Sequence, residues 1–423
     1  MDVRRGYKRT EVGVIPEDWQ ARALQSICRG IFRGASPRPI ADPRWFDDAS
    51  RIGWVRISDV TQSRRYLHST TQRLSDDGVK NSRFIPRGSL IMSICATVGR
   101  PVETALDTCI HDGFVVFENP LVNQNFLYHV LCELEPRWGR MGQTGSQMNL
   151  NTTLIKRTAI PLPPTEQEQR AIATALSDVD ALIDKLDQLI AKKRDLKQAA
   201  MQQLLTGKTR LPGFSGEWEV KRLGEIGEFL KGRGVTRDQS QTGLLPCVRY
   251  GELYTTHHNV IRSFASWVCP RVAATALRLC RGDILFAGSG ETKEEIGKSA
   301  AFVTEGAAYA GGDIVVLRQR GSDPVFLGYA LNTSHVNQQK SSYGQGDAVV
   351  HISATALAKI RLAIPDLAEQ TAIANVLSAM DAEIDALQAR RDKTRAIKQG
   401  MMQVLLTGQV RLPVISEPME ALA

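Results

Sequence analysis

An internal duplication limits the folds open to this chain more than any other feature of its sequence. Residues 168–212 and 369–413 align without a gap, at a constant offset of 201 positions. The matches include Glu-Gln, Ile-Ala and Leu-Ser near the start of each segment, and Leu-Leu-Thr-Gly and Arg-Leu-Pro near its end. A chain of 423 residues is also too long for one hydrophobic core. The repeat therefore predicts two similar halves, each with its own core.

The remainder of each half aligns more loosely. Short pieces recur in the same order: Trp19 and Leu24 with Trp218 and Leu223, Val55-Arg56 with Val248-Arg249, Arg87 to Ile91 with Arg281 to Leu285, Val98-Gly99-Arg100 with Ile296-Gly297-Lys298, and Gly113 to Val116 with Asp313 to Val316. We therefore divide the chain into variable and constant segments. They are a variable domain at 1–164, a constant helix at 165–207, a second variable domain at 208–365, a second constant helix at 366–408, and a tail at 409–423.

Each constant segment carries the signals of one long helix. A Thr-x-x-Glu capping box opens the first at Thr165, and Asp366 opens the second in the same way. Prolines just upstream of both segments block extension of the helix backwards. Gly207 and Gly408 stand where a left-handed C-terminal cap is expected. The residues between the caps would form roughly 60 Å of helix.

Apolar residues in both helices recur alternately every four and three positions, which is coiled-coil spacing. They are Ile172, Leu176, Val179, Ile183, Leu186 and Ile190, and then Ile373, Leu377, Met380, Ile384 and Leu387. The phase shifts at Lys193 and Thr394, after which Leu196 and Ile397 are expected to continue the stripe. Because so narrow a stripe needs a partner, we predict that the two helices pack as an antiparallel coiled coil. Two independent helices, each docked on its own domain, are the alternative.

The variable segments predict α+β domains. Both alternate short apolar runs with turn residues, as strands do, and both contain a helical stretch near 125–134 or 325–332. Polar loops rich in glycine and glutamine follow at 142–147 and 341–346. Glutamine can contact an adenine edge through two hydrogen bonds, and glycine lets the backbone approach closely. Ordinary exposed turns are the alternative interpretation.

Basic residues cluster early in both halves, and the formal net charge is +8. Such clusters permit phosphate binding, but on composition alone a solvated basic surface explains them at least as well. Basic and glutamine side chains together give our candidate DNA-binding residues. They are Arg33, Arg56, Gln143 and Gln147 in the first domain, and Arg233, Arg249, Lys298 and Gln345 in the second.

Other classes of site and location find little support. The seven cysteines are scattered without a C-x-x-C pair, which favours buried free thiols over zinc sites or disulfides. No metal site is therefore expected. No apolar run has the length of a membrane span, and no apolar segment follows the first residues as in a signal peptide. We expect a cytoplasmic protein.

The sequence offers no positive case for catalysis. Residues 288–299 superficially suggest a P-loop, but Thr292 stands where that motif needs glycine. We find no G-x-G-x-x-G after a strand, no H-E-x-x-H and no Asn-Pro-Pro-aromatic box of amino-methyltransferases. An Asp/Glu…Lys nuclease cluster has a weak sequence signature and stays open as an alternative. We expect no catalytic residues and no bound cofactor.

The whole arrangement resembles the specificity subunit of type I restriction–modification enzymes. The resemblance lies in a Pro-x-x-Trp…Leu opening, an Ile-Pro…Glu-Gln-x-x-Ile-Ala segment, and a Leu-Leu-Thr-Gly…Arg-Leu-Pro helix end. These motifs occur as Pro16, Trp19 and Leu24; Ile160-Pro161, Glu168-Gln169 and Ile172-Ala173; and, in the second half, Ile364-Pro365, Glu369-Gln370 and Ile373-Ala374, with both helix ends. The second opening, Trp218…Leu223, lacks the proline. Two copies in this order are far more specific than one.

The resemblance implies a non-catalytic subunit that binds double-stranded DNA. Its two target-recognition domains would each read half of a bipartite site, and the paired helices would set the spacing. Two methyltransferase (modification) subunits would dock on the conserved regions, and motor–nuclease (restriction) subunits would join them. S-adenosylmethionine, ATP and magnesium would belong to those partners. The alternatives are a single-chain restriction or methylation enzyme, and a coiled-coil scaffold without DNA contact.

Overall fold

A computed structural model describes residues 3–141, 150–346 and 348–413. The chain divides into two compact units, the first formed by 1–186 with 390–423 and the second by 187–389. Each unit thus combines a variable domain with parts of both long helices. No helix in the described ranges has the length and apolar character needed to cross a membrane.

The described residues of the first unit form a five-stranded sheet, a four-stranded sheet and two two-stranded sheets, together with several helices. Its strands are β1 (Tyr7–Thr10), β2 (Gly13–Pro16), β3 (Gln20–Ala23), β4 (Cys28–Arg33), β5 (Gly53–Val55), β6 (Tyr66–Leu67), β7 (Gln72–Arg73), β8 (Arg83–Ile85), β9 (Leu90–Ser93), β10 (Pro101–Thr104), β11 (Thr108–Ile110), β12 (Phe114–Pro120) and β13 (Ala159–Leu162). Its helices are α1 (Ile57–Gln62), α2 (Asp76–Lys80), α3 (Gln124–Met141), α4 (Thr152–Arg157) and the start of α5 (Glu166–Leu204).

The second unit has its own set of elements. Its strands are β14 (Glu219–Arg222), β15 (Gly227–Lys231), β16 (Leu245–Val248), β17 (Asn259–Ile261), β18 (Ser266–Val268), β19 (Leu277–Arg278), β20 (Ile284–Ala287), β21 (Ser289–Gly290), β22 (Ser299–Phe302), β23 (Tyr309–Ala310), β24 (Ile314–Gln319), β25 (Val350–His351) and β26 (Arg361–Ile364). Its helices are α6 (Glu252–Thr255), α7 (Pro270–Ala273), α8 (Pro324–Ala330), α9 (Ser334–Tyr343), α10 (Ala354–Leu357) and most of α11 (Leu367–Leu405).

Both units share one sheet topology. A five-stranded sheet has the order β4-β12-β9-β10-β6 in the first unit and β15-β24-β20-β22-β17 in the second. A four-stranded sheet has the order β7-β5-β11-β8 in the first and β18-β16-β23-β19 in the second. The central strands β12 and β24 are apolar on consecutive residues because neighbours cover both of their faces. The α+β prediction and the two-domain organisation are confirmed.

The predicted capping residues flank the long helices, which span Glu166–Leu204 and Leu367–Leu405. Thr165 and Asp366 accept the first-turn amides of Glu168 and Glu369, at 3.2 and 2.8 Å. Gly207 and Gly408 adopt φ values of +68° and +70°, the left-handed conformation of a C-terminal cap. The capping residues therefore fix the length of both helices.

The two helices pack antiparallel within each unit. In the first unit Lys398 of α11 donates to Asp180 of α5 at 2.7 Å. In the second unit Lys197 of α5 pairs with Asp381 of α11, which is the same contact between the repeats with the roles exchanged. The apolar stripe is buried at five of its six positions in α5, and Val179 is partly exposed. The coiled-coil prediction is confirmed.

One detail of the helix prediction is wrong. Leu196 and Ile397 do not continue the buried stripe, because their side chains are 47% and 50% exposed. Thr394 is buried instead, and Lys193 faces the partner helix and donates to Glu383 at 2.6 Å. The interface therefore keeps its phase and becomes polar at these positions.

The last turns of each long helix pack into the core of the unit that contains the start of the other long helix. Met402, Leu405 and Leu406 of α11 belong to the core of the first unit, together with Trp19 and Ile172. Leu204 and Leu205 of α5 occupy the matching place in the second unit, with Ile373 and Leu377. Each core therefore includes residues from both halves of the chain.

The cysteines agree in part with the sequence analysis. All seven are free thiols, and Cys28, Cys109 and Cys247 are buried. Burial raises the pKa of Cys28 to about 12 and that of Cys109 to about 11, so both are inert thiols. Cys280 is exposed, so the expectation of burial is wrong for this residue.

Candidate nucleic-acid interface

In the first unit, strand ends bring candidate residues to one place. Arg33 ends β4, Arg56 directly follows β5, and His111 and Asp112 form the turn between β11 and β12. The segment after Arg33 is fixed to this turn, because the amides of residues 34 and 35 donate to the carbonyls of residues 114 and 110 at 2.9 and 3.0 Å. Arg33 itself donates through Nε to the Asp112 carbonyl.

Arg56, His111 and Asp112 line one cavity of about 860 Å³. The backbone amide of Arg56 donates to Asp59 Oδ2 at 2.8 Å, which caps α1 and fixes the position of residue 56. Its exposed guanidinium has no hydrogen bond or ion pair with any residue in the described ranges. It is therefore free to donate to a ligand.

The chemistry of His111 is defined by its neighbours. Burial lowers the pKa of His111, an effect that the adjacent Asp112 carboxylate opposes. Its Nδ1 accepts the amide of Gly113 at 2.8 Å, so the neutral ring carries its proton on Nε2. Asp112 accepts the Ser36 hydroxyl at 3.0 Å, and its side chain is 54% exposed. The cavity thus offers donors and one carboxylate acceptor together.

The corresponding place in the second unit has a different character. Arg233 follows β15 and Arg249 follows β16, and both segments meet the turn formed by Gly311 and Gly312. The amides of these glycines donate to the carbonyls of residues 248 and 234, at 2.9 and 2.8 Å. The sequence alignment places Gly311 and Gly312 opposite His111 and Asp112. The framework is the same, whereas the side chains at the turn have been lost.

Arg249 is held within the second domain. Its Nε donates to Glu252 at 3.1 Å and lies 3.4 Å from the Ser266 hydroxyl. Burial raises the pKa of Glu252, but hydrogen bonds from His257, Ser266 and Arg249 outweigh that effect and lower the pKa overall. Arg249 is therefore already engaged as the partner of a buried carboxylate.

Lys298 and Gln345 lie on two loops that contact each other. Gln345 and His351 exchange backbone hydrogen bonds of 3.0 and 2.8 Å. His351 Nδ1 in turn lies 2.9 Å from the hydroxyl of Ser289, which opens the loop that leads to Lys298. Lys298 approaches the Tyr254 carbonyl at 3.5 Å. The predicted contacts of the second domain thus form two groups, Arg233 with Arg249 and Lys298 with Gln345.

A buried lysine anchors the loop that carries Lys298. Lys340 of α9 is fully buried and donates to the Gly297 carbonyl at 2.8 Å. The equivalent residue in the first unit is Trp138, which packs against Gly99 as Lys340 packs against Gly297. Burial lowers the pKa of Lys340 to about 7. Nothing in the sequence pattern of α9 signals a buried lysine.

Each unit also has a charged cavity between its sheets and its part of the helix pair. In the second unit it measures about 630 Å³ and is lined by Lys197, Asp381 and Lys298. In the first it measures about 380 Å³, and the matching residues Lys398, Asp180 and Arg100 line it. Since both signs of charge alternate there, these cavities do not favour a purely anionic ligand. The described ranges contain no group of three or more His, Cys, Asp or Glu side chains suited to a metal ion.

Two candidate residues cannot be placed. Gln143 and Gln147 lie outside the described residues. Conversely, the sequence analysis missed His111 and Asp112. The signal that could have found them was the aligned turn, where one half has His-Asp and the other has Gly-Gly within an otherwise shared framework.

Comparisons with known proteins agree on one family. The model of the type I restriction modification DNA specificity domain matches residues 16–192 and 215–394. The MjaVIII type I restriction enzyme specificity subunit of Methanocaldococcus jannaschii is 23% identical over 70% of this chain and 72% of the relative. A protein of that organism named for the MjaX specificity subunit is 24% identical over 96% of this chain and 97% of the relative.

Solved structures show the same fold. The S subunit of a type I restriction–modification system from M. genitalium superposes with a TM-score of 0.60 at 14% identity, covering 96% of this chain and 98% of that one. A chain from a structural study of complex assembly in a type I system gives a TM-score of 0.56 at 17% identity, with 94% and 99% covered.

Proposed function

This chain belongs to the type I restriction–modification specificity subunits, with one DNA specificity domain in each half, and we propose that each domain reads one half of an asymmetric, bipartite site in double-stranded DNA. The recognition domains would be the variable segments 1–164 and 208–365, joined by helices at 165–207 and 366–408 and followed by a tail at 409–423. The observation that carries the proposal is that both domains share one sheet topology but differ in the side chains of one aligned turn, at 111–112 and 311–312.

Different readers imply different half-sites. In the first domain the turn carries His111 and Asp112 beside a free Arg56. In the second domain, glycines stand in place of His111 and Asp112, and the Arg249 side chain donates to Glu252. Because base identity is read through donors and acceptors on base edges, two such surfaces would not select the same sequence. The bases between the half-sites would stay unread.

The remaining candidate residues would contribute affinity or contact bases. Arg33, Arg233, Lys298 and Gln345 lie on strand ends and loops, and Arg33 and Arg233 are exposed. Arg33 also orders the Asp112 turn through its carbonyl. We include Gln143 and Gln147 in the proposal on the sequence alone.

We further propose that catalysis resides in partner subunits, namely two methyltransferase (modification) subunits and the motor–nuclease (restriction) subunits. An exposed apolar stripe on α5 supports such docking. Leu189 and Leu196, both in the second unit, lie seven residues apart on one helix face and are 38% and 47% exposed. Apolar residues at this spacing suit helices of a partner. The assembly would work in the cytoplasm with cofactors that its partners bind.

Methylome sequencing of cells that express the complete system tests this function. We expect one asymmetric motif of two different half-sites with a fixed gap. Cells that express the modification and restriction subunits without this chain are the control, and they should show no defined motif. The purified chain with only S-adenosylmethionine and DNA should transfer no methyl group. Robust methylation by the chain alone, or a continuous motif, would contradict the proposal.

A further inference from the structure

The cavity of the first recognition domain differs from its counterpart in the freedom of its arginine. Arg56 and Arg249 occupy aligned positions, each immediately after a strand and each capped through its backbone amide by an acidic residue three positions on. Glu252 also accepts a hydrogen bond from the Arg249 guanidinium. Asp59 instead accepts one from the Thr71 hydroxyl at 3.0 Å, so the Arg56 guanidinium has no partner among the residues that the structure describes. One of these two equivalent arginines is thus available to an external ligand.

The same cavity contains a carboxylate with spare capacity to accept. Asp112 uses one side-chain oxygen for the Ser36 hydroxyl, and it makes no ion pair with Arg56. Its turn is fixed by Arg33 and by the hydrogen bonds of the following strand. The cavity therefore presents an arginine and a carboxylate that do not neutralise each other.

We propose that Arg56 and Asp112 together read one G·C base pair in the major groove, Arg56 donating to guanine O6 and N7 and Asp112 accepting from the cytosine N4 amino group. This inference rests on the proposed function. In the major groove only a G·C pair offers two acceptors on one base and an amino donor on the other in this arrangement. A phosphate would satisfy Arg56 but would be repelled by Asp112, so the pair of side chains favours a base edge over the DNA backbone.

His111 lines the same cavity as Arg56 and Asp112, and its Nδ1 lies 3.7 Å from the Asp112 carboxylate. Burial lowers the pKa of His111, which favours the neutral ring. A neutral ring does not compete with Arg56 for Asp112, whereas a protonated ring would. The glycines at the matching turn of the second domain carry neither a carboxylate nor an imidazole, so the second half-site must be read by other groups.

The test uses the complete enzyme complex and compares methylomes of cells with the parent chain, Arg56→Ala, Asp112→Ala and the double variant. Arg73→Ala is the matched control, an exposed arginine of the same domain that donates only to the carbonyls of Asp48 and Ser50. We expect both single variants to relax the same G·C position of one half-site by roughly 10- to 100-fold. The double variant should relax no further position, and the other half-site should be unchanged.

Binding of the assembled complexes to a panel of duplexes, differing only at that position, covers the case in which a variant methylates too weakly to score. Equal weakening on every duplex would make Arg56 a phosphate contact and overturn the proposal. So would relaxation at two different positions, or no change in either variant. If the parent complex has no bipartite motif, the proposed function fails and this inference with it. If the parent motif is present and the variants leave it intact, only this inference fails.

Discussion

Replacing Lys340 with methionine should remove part of the pH dependence of the stability of the second unit. Lys340 is fully buried, and its ammonium nitrogen donates to the Gly297 carbonyl, the one acceptor that it has within the described ranges. Burial lowers the pKa of Lys340 from 10.5 to about 7. The charged lysine is therefore far more stable in the unfolded chain than in the folded one. Stability is complete above the unfolded pKa and is lost as the pH falls from about 10.5 toward 7.

The size of the stability change follows from how far burial lowers the pKa of Lys340. At 1.36 kcal/mol per pKa unit, the difference costs the folded state about 5 kcal/mol at and below neutral pH. Methionine removes that cost but leaves the buried Gly297 carbonyl without its donor, which costs about 1–3 kcal/mol. Lys340→Met should thus be more stable than the parent by about 2–4 kcal/mol at pH 7. The advantage should shrink as the pH rises and reverse above about 10.5, where the parent lysine is neutral in both states and keeps its hydrogen bond to the Gly297 carbonyl.

Hydrogen exchange resolved at the level of peptides measures the stability of the second unit separately from that of the first. The free energy of opening is followed for α9 and β20 between pH 7 and 9, corrected for the intrinsic exchange rate at each pH. Peptides of the first unit, where Trp138 occupies the matching place, serve as an internal reference. Lys359→Met, at an exposed lysine of the same unit, is the control. Parallel pH profiles for the parent and Lys340→Met would refute the reasoning.

Three shorter predictions test the site and the helices. Glu252→Ala should destabilise the second unit by about 3 kcal/mol in urea unfolding, because Arg249 and Ser266 lose a buried partner; an unchanged midpoint would count against a structural role for that cluster. Leu189→Ser with Leu196→Ser should weaken assembly with the methyltransferase subunits in analytical ultracentrifugation while the chain stays folded by circular dichroism; undiminished assembly would remove the stripe from the docking surface. Inserting four residues, about one turn, into both α5 and α11 at the boundary between units should lengthen the unread gap in the methylome and leave both half-sites unchanged; altered half-site bases would contradict a spacer role.

The framework of this fold could be predicted because its signals are local and occur twice. Capping at Thr165 and Asp366, and the terminal glycines, depend on neighbouring residues only, and the structure agrees with them. The buried stripe follows from spacing within one helix. Its continuation through Leu196 was wrong because a polar contact, Lys193 with Glu383, satisfies the interface there. The apolar spacing within one helix does not show which of its residues will face a charged residue on the other helix.

The reading surface could be predicted only in part, for a different physical reason. Arg56 and Arg249 have the same local sequence setting, and the sequence analysis treated them alike. Their difference depends on Glu252, one methylene longer than Asp59, which reaches the guanidinium as well as the amide. Similarly, Trp138 and Lys340 fill the same interior place although one is apolar and the other basic. Such differences arise from tertiary packing: a buried position with one nearby carbonyl acceptor can hold a lysine as well as a tryptophan.

The crossing of helix ends into opposite cores has a consequence for inheritance. The last turn of α11 supplies Met402, Leu405 and Leu406 to the core around Trp19. A premature stop in the gene after codon 389 would therefore spare the contiguous second domain and strip a wall from the first, whose own codons are intact. Likewise, a recombination event that replaces only the first domain's coding segment must still match the segment that encodes the last turn of α11. These two coding segments are thus constrained to be inherited together.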